Sequence, residues 1–228
     1  MRELDHLFAN NRAWAGKIRA EDPGFFANLS RQQAPQYFWI GCSDSRVPAN
    51  QITGLLPGEM FVHRNVANIV PPADLNSLSA LQFAVDVLKV RHVVVCGHYG
   101  CAGVRAVFRA ERLGLVDNWL KHVCDVSQKH APQLVGLADD ARRFDRLCEL
   151  NVIEQVANVC GATSVQQAWE QDQPLAVHGW IYAVSDGLLR DLGLCVTGPE
   201  QLAPAYHAAV AGFSPASELA GAPVDDGP

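Results

Sequence analysis

The stretch Tyr37–Pro48, YFWIGCSDSRVP, runs an apolar segment straight into Cys42, Asp44 and Arg46. A second stretch, Val93–Gly103, VVVCGHYGCAG, repeats that design with His98 and Cys101. In each, a run of strand-type residues reaches a glycine and polar side chains follow at once. This is the signature of the carboxyl end of a buried strand, where open α/β sheets place their ligands. If the backbone stays extended, Cys42, Asp44 and Arg46 stand two residues apart and project to one side. His98 and Cys101, three apart, share one side of a helical first turn.

Read together, the stretches supply two thiols, an imidazole and a carboxylate. That is the donor set zinc prefers, as four ligands in a tetrahedron or three plus water. A cysteine nucleophile with His98 as base is the competing chemistry, but it leaves the second cysteine without a task. Neither stretch contains the C-x-x-C pair of a redox motif. Asp44 admits two states: fourth metal ligand, or carboxylate held off the metal by a bidentate pair with Arg46. In the second state the open position takes water, whose pKa zinc brings from about 15.7 towards about 7.

The rest of the chain frames that site. At 228 residues it supports one substantial core. With 18 Lys and Arg against 24 Asp and Glu, a net charge of −6 and no basic run, nucleic acid is a poor partner. No stretch of about 18 apolar residues marks a membrane span, and the start has no apolar leader core, so a cytoplasmic protein is expected. Seven scattered cysteines do not fit a secreted disulfide framework. Cys96, Cys124, Cys148, Cys160 and Cys195 are expected as small buried hydrophobes.

Alternating strand and helix patterns predict an α/β fold, a mostly parallel central sheet flanked by helices, with an N-terminal helical arm. The expected division is an arm over 1–35, a zinc-binding catalytic α/β domain over 36–211 and a disordered tail over 212–228. Strands are expected at Tyr37–Cys42, Met60–His63, His92–Cys96, within Pro174–Gly187 and within Gly187–Thr197. Helices are expected over Leu4–Arg19, Phe25–Gln33, Ser77–Leu88, from Cys101 to about Leu113, Leu115–Lys129 and Asp140–Val159, with a loop around Pro132. The arm has little of its own chain to pack on, which points to a neighbouring subunit.

CSDSRVP (Cys42–Pro48), HRNVAN (His63–Asn68), GHYGCAG (Gly97–Gly103) and HGWIYAVSDG (His178–Gly187) together resemble the β-class carbonic anhydrases. The resemblance implies Cys42, His98 and Cys101 as ligands of Zn2+ and Asp44 with Arg46 as the catalytic dyad. The reaction it implies is reversible hydration of carbon dioxide to bicarbonate and a proton by a zinc-bound hydroxide, in a homodimer or homotetramer. One branch of the family is similar in a further respect, a non-catalytic pocket for regulatory bicarbonate. Trp39, Arg64 and Tyr182 match its residues, and Asp44 is there the fourth ligand of a closed state, so inhibition by bicarbonate at low pH is expected. Ala102 departs from the family, which commonly has glycine there. The same motifs also fit a carbonyl sulfide or carbon disulfide hydrolase, or a non-catalytic zinc- or bicarbonate-sensing protein, although an intact Asp44–Arg46 pair speaks against the sensor.

Overall fold

The computed structural model describes residues 3–31 and 33–212. The expected tail, apart from Gly212, lies outside the described residues. Five strands, β1 (Tyr37–Cys42), β2 (Met60–Asn65), β3 (His92–His98), β4 (Ala176–Ala183) and β5 (Leu188–Val196), form one sheet in the order β2-β1-β3-β4-β5. The first four are parallel and β5 returns antiparallel to β4. β1 and β3 are apolar almost throughout because both are interior strands with both faces covered.

The helices are α1 (Asp5–Glu21), α2 (Phe25–Leu29), α3 (Ala49–Thr53), α4 (Leu75–Gln82), α5 (Ala102–Phe108), α6 (Val116–Lys129), α7 (Ala131–Val135), α8 (Asp140–Cys160), α9 (Thr163–Glu170) and α10 (Pro199–Ala211). Side chains alternate across the sheet. Phe38, Ile40, Val93, Val95, Val177 and Ile181 share the main core with Leu147, Leu150, Ile153 and Val156 of α8. The opposite face carries a much smaller cluster, Trp39, Val47, Ala49, Val94, Cys96 and Tyr182. α1 buries none of its residues, and Leu4, Leu7, Phe8 and Trp14 stand exposed, as an arm with little to pack on should.

Several boundaries differ from the sequence pattern. β2 runs on through Asn65, so Arg64 lies in a strand and not in a loop. α4 starts at Leu75 because Asp74 caps it, accepting from the N–H groups of Asn76 and Ser77, and its continuation over Phe83–Val87 widens into a π turn. The expected loop at Pro132 contains α7, with proline in its first turn, where the missing N–H costs nothing. α2 stops at Leu29 and α5 at Phe108, short of their patterns. α9 and α10 were not anticipated. Of the five cysteines expected to be buried, Cys96, Cys148 and Cys160 are, while Cys124 is half-buried and Cys195 exposed on β5.

Candidate active site

β1 and β3 are adjacent and parallel, so their carboxyl ends bring the two motifs together. Cys42 is the last residue of β1 and His98 the last of β3. Cys101 follows one turn later as the residue preceding α5, a turn made possible by Gly100 at φ +73°. His98 and Cys101 therefore meet through a glycine turn, not on a helical face. Nor is Cys42–Arg46 extended. The chain turns at Asp44, where Val47 N–H donates to the Asp44 carbonyl, and the turn, not strand alternation, sets the relation of Asp44 to Arg46.

Cys42, His98 and Cys101 are all buried, with their donor atoms within 4.8 Å of one another. The two sulfurs are 3.9 Å apart and unbridged. His98 Nδ1 lies 3.0 Å from the Tyr99 carbonyl, which fixes the ring and leaves Nε2 buried without a hydrogen-bond partner. A buried imidazole nitrogen left unpaired beside two thiols is the condition a metal ion relieves. Among the described residues this is the sole cluster of three or more His, Cys, Asp or Glu side chains with that geometry.

The electrostatics favour thiolate. The neighbouring Cys101 thiol pulls the Cys42 thiol down to about 4 against the opposing effect of burial, and His98 and the backbone at Asp44 and Ala67 act in the same direction. Cys101 is pushed up by the same contact and by burial. A cation bound between the two sulfurs favours the ionised form of both.

Asp44 sits beside this cluster, Oδ2 3.7 Å from His98 Nε2. Arg46 grips it twice, Nε donating to Oδ1 at 2.9 Å and a terminal NH2 donating to Oδ2 at 2.7 Å, and the Arg46 backbone N–H adds a third bond to Oδ1. These bonds outweigh partial burial and hold the carboxyl well below the usual carboxylate range. The clamp is charge-assisted and bidentate, the geometry a guanidinium supplies and an ammonium does not.

Trp39 and Tyr182 pack in one cluster on the thinly covered sheet face. Trp39 is wholly buried and its Nε1 has no acceptor. Arg64 lies opposite Gly41 on the neighbouring strand, and its guanidinium donates to the carbonyls of Cys42 and Asp44 at 2.9 and 2.5 Å. It thus braces the exit from β1, a task its position in the sequence did not reveal.

The chain matches the carbonic anhydrase family profile over residues 37–189. It is 49% identical over 194 residues to a carbonic anhydrase of Emericella nidulans, covering 85% of each chain. Among solved structures it superposes on a Coccomyxa β-carbonic anhydrase in complex with acetazolamide with a TM-score of 0.83 and 41% identity, over 88% of this chain and 91% of that one. It also superposes on a tetrameric β-carbonic anhydrase from Sordaria macrospora with a TM-score of 0.82 and 37% identity, over 86% and 100%. The chain belongs to the β-class carbonic anhydrases, enzymes of the carbonate dehydratase type.

Proposed function

We propose that this chain catalyses the reversible hydration of carbon dioxide to bicarbonate and a proton, with zinc held by Cys42, His98 and Cys101. The observation that carries the proposal is the unpartnered, buried Nε2 of His98 beside two unbridged thiols. Zinc bound there supplies a Lewis acid that turns water into hydroxide near neutral pH. The chain's own residues do the rest. Asp44, kept ionised and clamped by Arg46, presents Oδ2 as a hydrogen-bond acceptor beside the cluster, and the clamp would hold that carboxylate off a metal bound there. Released from Arg46, Asp44 would be free to serve as a fourth ligand and close the site. On this reading residues 36–211 form the catalytic domain and 1–35 an arm.

Trp39, Arg64 and Tyr182 are proposed to hold a second, inhibitory bicarbonate. The support is the buried Trp39 N–H without an acceptor, which a bicarbonate oxygen satisfies. The exposed apolar side chains of α1 and the small cluster on one sheet face support a homodimer or homotetramer. Seven unpaired cysteines support a reducing compartment, the cytoplasm, and among the described residues no helix is long and apolar enough to cross a membrane.

Stopped-flow hydration of carbon dioxide, run from about pH 6.5 to 9 on protein of measured zinc content, tests the proposal. One zinc per chain with activity rising with pH is the expected result. Zinc without hydration at the alkaline end overturns the reaction, and absence of zinc overturns the ligand set. Inhibition by added bicarbonate that persists unchanged in Trp39→Phe and Arg64→Ala removes the regulatory pocket.

A further inference from the structure

We propose that Asn151 and Gln155 of α8 are positioning residues for the metal centre, fixing the loop after β2 against the segments that carry Cys42, His98 and Cys101. The inference rests on the zinc reading above. The loop Val66–Asn68 reaches all three ligand-bearing segments. At its start the Asn65 carbonyl accepts from the N–H of Ser43, the neighbour of Cys42, at 2.8 Å. Its Asn68 Oδ1 lies 3.4 Å from where a Cβ on Gly97, the neighbour of His98, would stand. Its Ala67 Cβ lies 3.3 Å from the same point on Gly103, two residues beyond Cys101.

The loop adopts a backbone that other contacts must impose. Ala67 and Asn68 have φ values of 65° and 47°, in the left-handed region that L side chains avoid. Such residues persist where the surroundings over-determine them. Here the determinants come from a helix more than 80 residues away. Asn151 Nδ2 donates to the Ala67 carbonyl at 2.9 Å, and Gln155 Oε1 accepts from the Val70 N–H at 2.8 Å. Gln155 Nε2 donates to Asn151 Oδ1 at 3.2 Å, so each amide orients the other.

Both amides are almost fully buried, 1% and 2% exposed, on a helix whose Leu147, Leu150 and Ile153 lie in the main core. An apolar residue at 151 would pack there, but it would leave the Ala67 carbonyl unpaired. The carbonyl, once held, fixes the peptide plane on one side of Ala67, and the Val70 bond fixes the other end of the loop. Orienting partners of this kind behind the segments that carry metal ligands tune metal retention.

The test compares full-length zinc-loaded protein with Asn151→Leu and Gln155→Met, the second guarding against a failure of the first to fold. Asn158→Leu is the control: Asn158 donates to Gln155 but makes no bond to the loop. Two quantities are read: site-resolved amide exchange at Ala67 relative to Val94 and Val95 of β3, and zinc retention against a competing chelator. The expected result is exchange at Ala67 faster by about tenfold or more with the β3 amides unchanged. Zinc retention should weaken by about 10- to 100-fold, with the control within about twofold in both. Variants that match the control overturn the proposal. So does faster exchange with no loss of zinc, since the loop would then be held for stability alone. A parent chain that takes up no zinc overturns the ligand set as well, whereas variants that keep zinc as tightly as an occupied parent overturn this inference only.

Discussion

Gly41→Ala is the substitution whose cost follows most directly from the structure. Gly41 lies in β1 opposite Arg64 of β2 and Cys96 of β3, one residue before Cys42. A methyl there would stand 2.2 Å from Trp39 Nε1, 3.0 Å from its Cδ1 and 3.2 Å from its Cε2. Unstrained heavy-atom contacts begin near about 3.5 Å, so the indole must retreat by about 1.3 Å. It has no free direction, being wholly buried in the cluster with Val47, Ala49, Val94, Cys96 and Tyr182. Overpacking of this kind costs about 1–3 kcal/mol. For a chain of this size each kcal/mol lowers the melting temperature by about 2–4 °C, so a loss of about 2–12 °C is expected.

The assay is thermal unfolding of four proteins at one fixed concentration and zinc occupancy, since subunit association and metal both shift the melting point. The four are the parent, Gly41→Ala, Trp39→Phe and the double variant. A phenyl ring has no atom at the indole Nε1, so the alanine should cost less in the Trp39→Phe background, with a coupling of about 0.5–3 kcal/mol. The reasoning is refuted if Gly41→Ala melts with the parent, or if the same loss appears in both backgrounds. The substitution also displaces the one buried indole N–H that lacks an acceptor, so inhibition by bicarbonate should weaken alongside stability.

Cys42→Ser and Cys101→Ser should each abolish stoichiometric zinc by elemental analysis, whereas Cys195→Ser, altered on the exposed side of β5, should retain it. Arg46→Ala frees Asp44 and should lower turnover by on the order of 10²-fold in stopped-flow hydration, with Arg46→Lys intermediate because an ammonium cannot form the two parallel bonds. Glu154 gives a pH prediction remote from the metal. Burial opposes its ionisation, yet bonds from Lys129, Tyr206 and His130 prevail and hold its carboxyl below the usual value. A depressed folded-state pKa contributes stability that is present above the unfolded value and lost as pH falls through the folded one. Denaturant titrations from about pH 5 down to about pH 3 should therefore show the parent losing more stability than Glu154→Gln.

Much of the site was legible because it lies at two strand ends, and strand ends are marked locally by a glycine closing an apolar run. Cys42, Asp44, His98 and Cys101 were found that way, and the parallel pairing of β1 with β3 brings them together as expected. The residues chosen by spacing meet in space, but not through the local geometry that the spacing assumes. Periodicities of two and three assume regular backbone, and the chain turns at Asp44 and at Gly100. α9 and α10 escaped for a related reason. α10 carries Pro204 inside it, which reads as a break in the stripe of Leu202, Tyr206 and Val210 that β5 and α8 cover.

Arg64 and the α8 amides were illegible for a deeper reason: their partners are backbone atoms, which carry no sequence signal. The bonds of Arg64 go to the carbonyls of Cys42 and Asp44, about twenty residues away. Those of Asn151 and Gln155 cross 84 and 85 residues to Ala67 and Val70. On a helical wheel Asn151, Gln155 and Asn158 follow the same face and would ordinarily mark the solvent side. Leu147, Leu150 and Val156, however, flank them in the core. A polar stripe set within an apolar one is a sign in its own right. Buried amides persist where something must be held, and what these hold is a left-handed turn packed against β1.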